Sequence, residues 1–555
     1  MPTEMPGDEE ETLAEMEDFP AYSIPLDQLA FVLRREDWNN DEQYSLVQLE
    51  PAEQEGKPPT LTWRKDITIC PFDTSYYYYD HELPKIPLEQ RNFRSWLQAH
   101  APSVRYIDLS AETSVPVIER YKANIVVNPA SGAKTAKEWL SLVESLLSVA
   151  CGGSLPYPGD DYKEEPAEDA WLKWAISETA AEGDGERIGQ QIAQEIKEQQ
   201  DGSSKSATIV LGGDGTVHEL INGLLSVSDN GGVKSIPTDL VVFPLGTANA
   251  LYYHLFPPTS PSFPSTGPLA FLHSFLNFLE AASPSSGAPL GSKSTPLSGP
   301  PTPHGEALPL PIAQNSLPNG KTVFTSVVTS AALHANILLD AEALRASQPG
   351  VERFKLAAQQ NAQRWWSGDL TLKKDVKRYD STEQQWVDKS DGVELGGAFS
   401  YLTSALVDRF ESNFVVAPFR SKDHALSPDS SSSIDLVLIR PMRHAQTAAL
   451  VRAGKEEEAK KAFVDRVWAV SGKMYEGGKH VDLVYDEQER EDKGEEGKEV
   501  AEIYRCSEFE WKPTTDADKK DRIVCLDGAL HDLGNDGSLQ VKVLGPQESN
   551  LRVWA

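Results

Sequence analysis

Asp214 is the residue whose type and setting most call for chemistry. It stands in the run Gly212, Gly213, Asp214, Gly215, Thr216. Before it, Thr208, Ile209, Val210 and Leu211 form an apolar, β-branched run long enough for a buried strand. After it, Val217, Leu220, Ile221, Leu224 and Leu225 recur on one face of a helix. Glycines at a strand-to-helix junction let the backbone approach a ligand closely. The free N–H groups and the positive end of the helix macrodipole favour an anion there. A carboxylate beside phosphate repels it, unless the carboxylate holds a metal or accepts a proton.

Two further strand ends offer similar chemistry. Residues 124–127 read as a buried strand that ends in Asn128, Pro129, Ala130, Ser131 and Gly132. Residues 239–243 read as another, ending in Pro244, Leu245, Gly246, Thr247, Ala248 and Asn249. Each turn supplies backbone N–H groups with a small hydroxyl or amide, the groups suited to phosphate oxygens and ribose. None is a Walker A loop: before Gly132-Ala133-Lys134-Thr135, Val127 stands where that pattern needs glycine. Taken singly, each has a plain reading. Asn128-Pro129 terminates a strand, and Gly246 to Asn249 form a helix N-cap. His218 and Glu219 read as the polar face of a surface helix, and for His218 that reading is preferred. Three such turns in order, on consecutive strands, favour a ligand.

The elements around them set the architecture. A helix is predicted over 136–149, with Trp139, Leu140, Val143, Leu146 and Leu147 on one face. Helical segments are predicted over 170–178 and 186–199. Alternation of strands and helices argues a mostly parallel sheet covered on both faces, and ligands of such folds sit beyond the carboxyl ends of the strands. We place this α/β nucleotide-binding unit at 121–256. Residues 1–20 read as a disordered acidic tail and 21–120 as a β-rich accessory region, with β-prone runs at 31–33, 44–49, 61–63 and 67–70. The aromatic run 76–79 reads as a strand packed on both faces. Residues 257–320 carry a helix (269–279) and a Pro/Ser-rich linker (281–309), and 321–555 read as a largely antiparallel β unit. Helices are predicted at 351–366 and 456–467, and inserted loops at 151–169, 427–433 and 486–499.

The 555 residues carry a net charge of −32. Such acidity argues against nucleic acid as a partner and disfavours anionic membrane except through a local basic or apolar patch. Cys70, Cys151, Cys506 and Cys525 show no metal spacing. With no signal peptide, this predicts a reducing, cytoplasmic setting. No apolar run approaches bilayer-spanning length. Trp365 and Trp366 read as packed inside a helix.

At these residues the chain resembles the diacylglycerol kinase catalytic-domain superfamily, and within it the sphingosine/ceramide kinase-like branch of lipid kinases. Asn128-Pro129-Ala130-Ser131-Gly132 resembles the family's N-P-x-S/G-G. Residues 212–223 resemble G-G-D-G-T/L-x-H-E-V-V-N-G, including His218, Glu219, Asn222 and Gly223. Residues 244–251 resemble P-x-G-T/S-G-N-A-L, and Asp527-Gly528 a closing D-G-E. The resemblance implies an α/β domain like that of NAD kinase and phosphofructokinase. It also implies an antiparallel β-sandwich that covers a lipid, with the small β-rich N-terminal extension outside the match. ATP with Mg²⁺ would lie across the turns, and Asp214 would be general base for a lipid hydroxyl, as phosphoryl transfer requires. Nucleotide contacts would come from Asn128, Ser131, Gly132, Thr179, Gly212, Gly213, Gly215, Thr216, Glu219, Gly246, Thr247, Asn249, Arg345, Arg353 and Asp527. The two arginines follow a strand region at 323–339, and arginine's planar fork suits phosphate. Metal ligands stay unassigned. The implied partner is a lipid at a membrane surface, reached by a cytoplasmic protein peripheral on intracellular membranes.

Three departures bear on this. Ala248 replaces a glycine, so the backbone there must accept a Cβ. Ala529 replaces the glutamate of D-G-E, which leaves Asp527 as a substitute. Asn336-Ile337-Leu338 stands where sphingosine kinases have an acidic pair, and Asp340 is the nearest carboxylate. A cationic amine buried without a counter-charge is costly, so uncharged or amide lipids, as in ceramide or diacylglycerol kinases, compete with a sphingoid base. NAD kinase shares G-G-D-G-T but lacks the Asn128 turn and the Asp527 region. A non-catalytic lipid-binding or regulatory protein is the alternative of another class.

Overall fold

The computed structural model of the chain describes residues 28–36, 42–52, 54, 57–69, 105–108, 120–151, 171–198, 204–227, 233–234, 237–260, 265–283, 305–345, 347–348, 350, 352–421, 432–486, 488–489, 498–515 and 517–555. The expected acidic tail and the aromatic run 76–79 lie outside the described residues. So does most of the loops expected at 151–169, 281–309, 427–433 and 486–499.

Six strands form the sheet that carries the three turns. Their spatial order is Ala307–Pro309, Leu551–Trp554, Thr238–Pro244, Ser204–Gly212, Arg120–Val127, Leu172–Glu178. The last five run parallel, and Ala307–Pro309 pairs antiparallel with Leu551–Trp554. Successive side chains of a strand face opposite sides, and here both sides are buried. Ala123, Ile125, Val127, Ile209, Leu211, Val241 and Phe243 enter one core with helices α1 (Ala136–Ala150) and α5 (His273–Ala282). Val126, Val210, Leu240 and Val242 enter the other with α2 (Asp184–Glu198), α3 (Asp214–Leu224) and α4 (Ala250–Leu255).

One predicted helix is wrong. Leu172–Glu178 is a strand at the edge of this sheet, paired among the described residues with Arg120–Val127. An edge strand with Lys173, Ala175 and Ile176 exposed lacks the apolar run that marks a buried parallel strand.

The N-terminal region holds a four-stranded sheet, Thr60–Ile69, Glu42–Glu50, Leu29–Glu36 and Arg105–Asp108 in spatial order. It is not a separate body. Phe31, Leu33, Val47, Leu49 and Ile107 share a core with Trp139 of α1 and with Phe275 and Phe278 of α5. Buried Arg105 donates from Nε to Asn277 Oδ1 of α5 at 2.6 Å. Burial lowers its pKa to about 10, against the opposing charge of Glu280.

The second unit contains a six-stranded and an eight-stranded antiparallel sheet. Inward residues of both, such as Leu370, Trp511 and Val541 from one and Leu402, Leu436 and Ile503 from the other, join one hydrophobic cluster. Strand Trp366–Lys374 alternates buried and exposed side chains, as half-buried strands do. Strands Tyr401–Ala405 and Ile434–Ile439 are buried throughout. Helices α6 (Ala332–Leu344), α7 (Glu352–Asn361), α8 (Ala445–Arg452) and α9 (Glu456–Tyr475) also belong to this unit. The strand expected at 323–339 is two short strands, Thr322–Thr325 and Val328–Ala331, followed by α6. The alanine-rich apolar run favours helix, and Asn336 Nδ2 donates back to Ala332 O at 3.0 Å. Trp366 lies in a strand, fully buried, and Trp365 packs its ring on Phe463 of α9.

The chain crosses the expected boundaries twice. The region expected as linker to residue 320 contributes Ala307–Pro309 to the first sheet and Ile312–Ser316 to the six-stranded sheet. Strand Leu551–Trp554 returns from the second unit to lie parallel beside Thr238–Pro244. There Arg552 pairs with Asp239 at 2.7 Å, and Ser274 Oγ of α5 donates to Trp554 O at 2.8 Å.

Candidate active site

The three turns leave the carboxyl ends of three adjacent strands. In register, Val127 faces Leu211 and Gly212 faces Pro244, so the turns lie side by side. They touch. Asn128 Nδ2 donates to Thr216 Oγ1 at 2.9 Å, and Ser131 Oγ donates to Leu245 O at 3.1 Å. A Cβ on Gly213 would lie 2.5 Å from Gly246 Cα, too close for any side chain. Gly132 has φ +43, and a Cβ there would meet Leu245 O at 2.3 Å. Gly212 packs tightly against Thr216 in the same way. Gly215 differs: it is exposed, its φ is not positive, and a Cβ on it would meet nothing within 4 Å. The space a Cβ would take there is open, so a ligand has room to approach this backbone closely. It lies in the first turn of α3, whose first N–H groups have no intrahelical acceptor, and no side chain caps that end.

The third turn is held by Asn249. Its φ of +56 is left-handed, a conformation asparagine tolerates. Its Oδ1 accepts from Gly246 N at 2.7 Å while its Nδ2 donates to Gly246 O at 3.1 Å. Ala248 is not left-handed, so its Cβ costs the backbone nothing, and Thr247 is exposed at the crest. Thr179 borders the first turn, its N–H donating to Val127 O at 2.9 Å.

Asp214 is the first residue of α3 and half-buried. Its carboxylate closes the start of α4, with Oδ2 accepting from Ala250 N at 2.8 Å and Oδ1 from Leu251 N at 3.2 Å. Each oxygen keeps capacity for a further hydrogen bond. Burial raises its pKa to about 6. The α4 amides oppose that rise, and the charge of Asp527 adds to it. A carboxyl poised there is ionised at neutral pH yet basic enough to accept a hydroxyl proton.

Several residues expected to touch nucleotide are engaged elsewhere. Glu219 accepts from Gly183 N at 3.0 Å and Gly185 N at 2.9 Å, holding the N-terminus of α2. A carboxylate at a helix N-terminus is satisfied without any ligand. Arg345 pairs with Glu342 at 2.7 Å, and Arg353 donates to Gly350 O at 2.9 Å, contacts within their own segment. Asp527 is buried and accepts from Ser326 N (2.7 Å), Val327 N (3.0 Å) and Val328 N (2.7 Å). With Gly528 it makes the tight turn between strands Ile523–Leu526 and Ala529–Asp532. Their φ values of +49 and +94 suit Asp-Gly in a two-residue hairpin. A carboxylate so engaged is a poor substitute for the missing glutamate at 529.

His218 is a residue the local pattern misjudged. His218 is buried, not on a surface face, and its Nδ1 lies 3.4 Å from Asp527 Oδ2. Asn222 exchanges two hydrogen bonds with the backbone of Phe324. Their spacing of four puts both on one polar helix face, which was the available signal. The second unit covers that face.

Among the described residues no group of three His, Cys, Asp or Glu side chains is arranged to hold a metal. No helix among the described residues is long and apolar enough to cross a membrane. A comparison with curated proteins found no match. Residues 122–266, which contain all three turns and Asp214, match the family model of the diacylglycerol kinase catalytic domain.

Proposed function

We propose that this protein is an ATP-dependent lipid kinase that phosphorylates a hydroxyl of a sphingoid base or related lipid. The observation that carries the reading is Asp214. It is half-buried, its pKa is raised to about 6, and it heads a helix whose uncapped N-terminus lies among three contacting turns. Nucleotide phosphates would lie against the N–H groups of these turns and of α3, with Mg²⁺ neutralising part of their charge. Asn128, Ser131, Gly132, Thr179, Gly246, Thr247 and Asn249 would shape and line that surface. We read the two antiparallel sheets as a β-sandwich over the acceptor, and the protein as reaching its lipid from the cytoplasm at a membrane surface.

In the reaction, the acceptor hydroxyl gives its proton to Asp214 as its oxygen bonds to the γ-phosphorus. The bond from that phosphorus to the β–γ bridging oxygen breaks, and ADP leaves with that electron pair. Asp214 then releases the proton to water.

A specific observation supports a second reading, an uncharged acceptor such as ceramide or diacylglycerol. Asn336 donates to Ala332 O and Lys520 O, Leu338 packs in an apolar cluster, and Asp340 pairs with Lys520 at 2.6 Å. This leaves α6 without an uncommitted carboxylate at these positions for a cationic amine. The test is incubation with γ-labelled ATP and vesicles containing sphingoid base, ceramide or diacylglycerol. The reading predicts label on one of them, and the labelled lipid identifies the acceptor. Absence of label on every lipid, with ATP bound, would refute the kinase and favour a lipid-binding protein.

A further inference from the structure

Helix α3 is fastened to the second unit by side chains beyond its first turn. Asn222 Nδ2 donates to Phe324 O at 2.9 Å, and Asn222 Oδ1 accepts from Phe324 N at 2.8 Å, the pairing a neighbouring strand would make. The same Nδ2 donates to His218 O at 2.8 Å. One turn nearer Asp214, His218 Nδ1 meets Asp527, whose carboxylate gathers the N–H groups of Ser326, Val327 and Val328. Residues 324–328 are where the chain leaves strand Thr322–Thr325 in one antiparallel sheet and enters Val328–Ala331 in the other. Both fastenings therefore reach the crossing point of the second unit. Helix α4, whose first amides hold the Asp214 carboxylate, is joined to the same unit. His254 Nδ1 lies 3.0 Å from Asp408 Oδ1.

Asp214, His218 and Asn222 succeed one another at intervals of one helical turn. Any shift of the second unit along α3 would be transmitted to the carboxylate through this single rigid element. One of these contacts joins two side chains 309 residues apart, and the other joins a side chain to a backbone amide 102 residues away. Local folding of α3 does not need them.

We infer that Asn222, together with the His218–Asp527 pair, forms a positioning device that sets Asp214 in register with the acceptor held by the second unit. The inference rests on the lipid-kinase reading. None of these side chains has to touch nucleotide, so their loss should separate transfer to lipid from the binding and hydrolysis of ATP.

The experiment compares wild type with Asn222→Ala. It measures ATP affinity by calorimetry, slow ATP hydrolysis without lipid, and kcat and KM for lipid phosphorylation. The expected result is a fall of at least tenfold in kcat for lipid, with ATP affinity and hydrolysis within twofold of wild type. A parallel fall in all three, or no fall in any, would overturn the inference, since a merely structural loss does not discriminate between lipid and water as acceptor. Should Asn222→Ala fail to fold, Asn222→Asp keeps the acceptor for Phe324 N–H and loses the donor. A smaller split in the same direction is then expected, and its absence overturns the inference. If the wild type labels no lipid, the kinase reading fails, and hydrogen exchange decides on the positioning device. Faster exchange in both 214–224 and 324–328 on Asn222→Ala supports the mechanical link, and faster exchange in only one of them refutes it.

Discussion

At the scale of single residues, the proposed chemistry turns on one carboxylate. Asp214 accepts two amides of α4 and keeps capacity to receive a proton. Its raised pKa fixes a pH dependence with a definite sign. The working form of a base is deprotonated, so kcat/KM for lipid should be full above about 6 and fall as pH drops through it, by about tenfold per unit. A pH–rate profile with an acid limb near 4, the ordinary carboxylate value, would contradict this environment. Much of this site was legible in the sequence, because each turn closes a strand with glycine, asparagine or serine, residues whose backbone preferences are local. The use of Glu219, Asp527 and His218 was not. Their side chains meet groups from 34 to 309 positions away, and no local pattern encodes such partners.

At the scale of elements, α3 is fixed along its length by polar side chains, and each fixing can be tested. Glu219 spends its carboxylate on the start of α2. Glu219→Ala should therefore cost about 2 kcal/mol of stability, the usual worth of hydrogen bonds to a charged group, with ATP affinity unchanged. Urea unfolding together with calorimetry measures both. A loss of ATP affinity at constant stability would restore Glu219 to the nucleotide site. Helix α3 was readable because its apolar residues keep a helical period into a core. The edge strand Leu172–Glu178 was not, because most of its side chains are exposed and, among the described residues, it has one strand neighbour, Arg120–Val127. α6 was read as strand because an apolar run fits either state until its surroundings are known.

At the scale of the whole molecule, the units are woven together. The N-terminal sheet shares a core with the parallel sheet, and strand Leu551–Trp554 completes that sheet from the far end of the chain. A pattern read along the chain assigns such a strand to its sequence neighbours and misses the return. Truncation after Ser549 should be severe. Leu551, Val553 and Trp554 are buried, and at about 2 kcal/mol for each their loss approaches the whole stability of an ordinary domain. The truncated chain is expected to lose its cooperative thermal transition and its ATP binding. A transition and affinity equal to wild type would show that the strand is dispensable.

The central claim is that Asp214 takes the acceptor proton in phosphoryl transfer to a lipid. Asp214→Asn keeps a carbonyl oxygen for one α4 amide and removes the basic group. Transfer of label from γ-labelled ATP to lipid should be compared for wild type and Asp214→Asn, with ATP affinity measured alongside. The account predicts a fall in transfer of about 10²–10⁴-fold, the usual contribution of a general base, with ATP still bound. Transfer within about tenfold of wild type would contradict it.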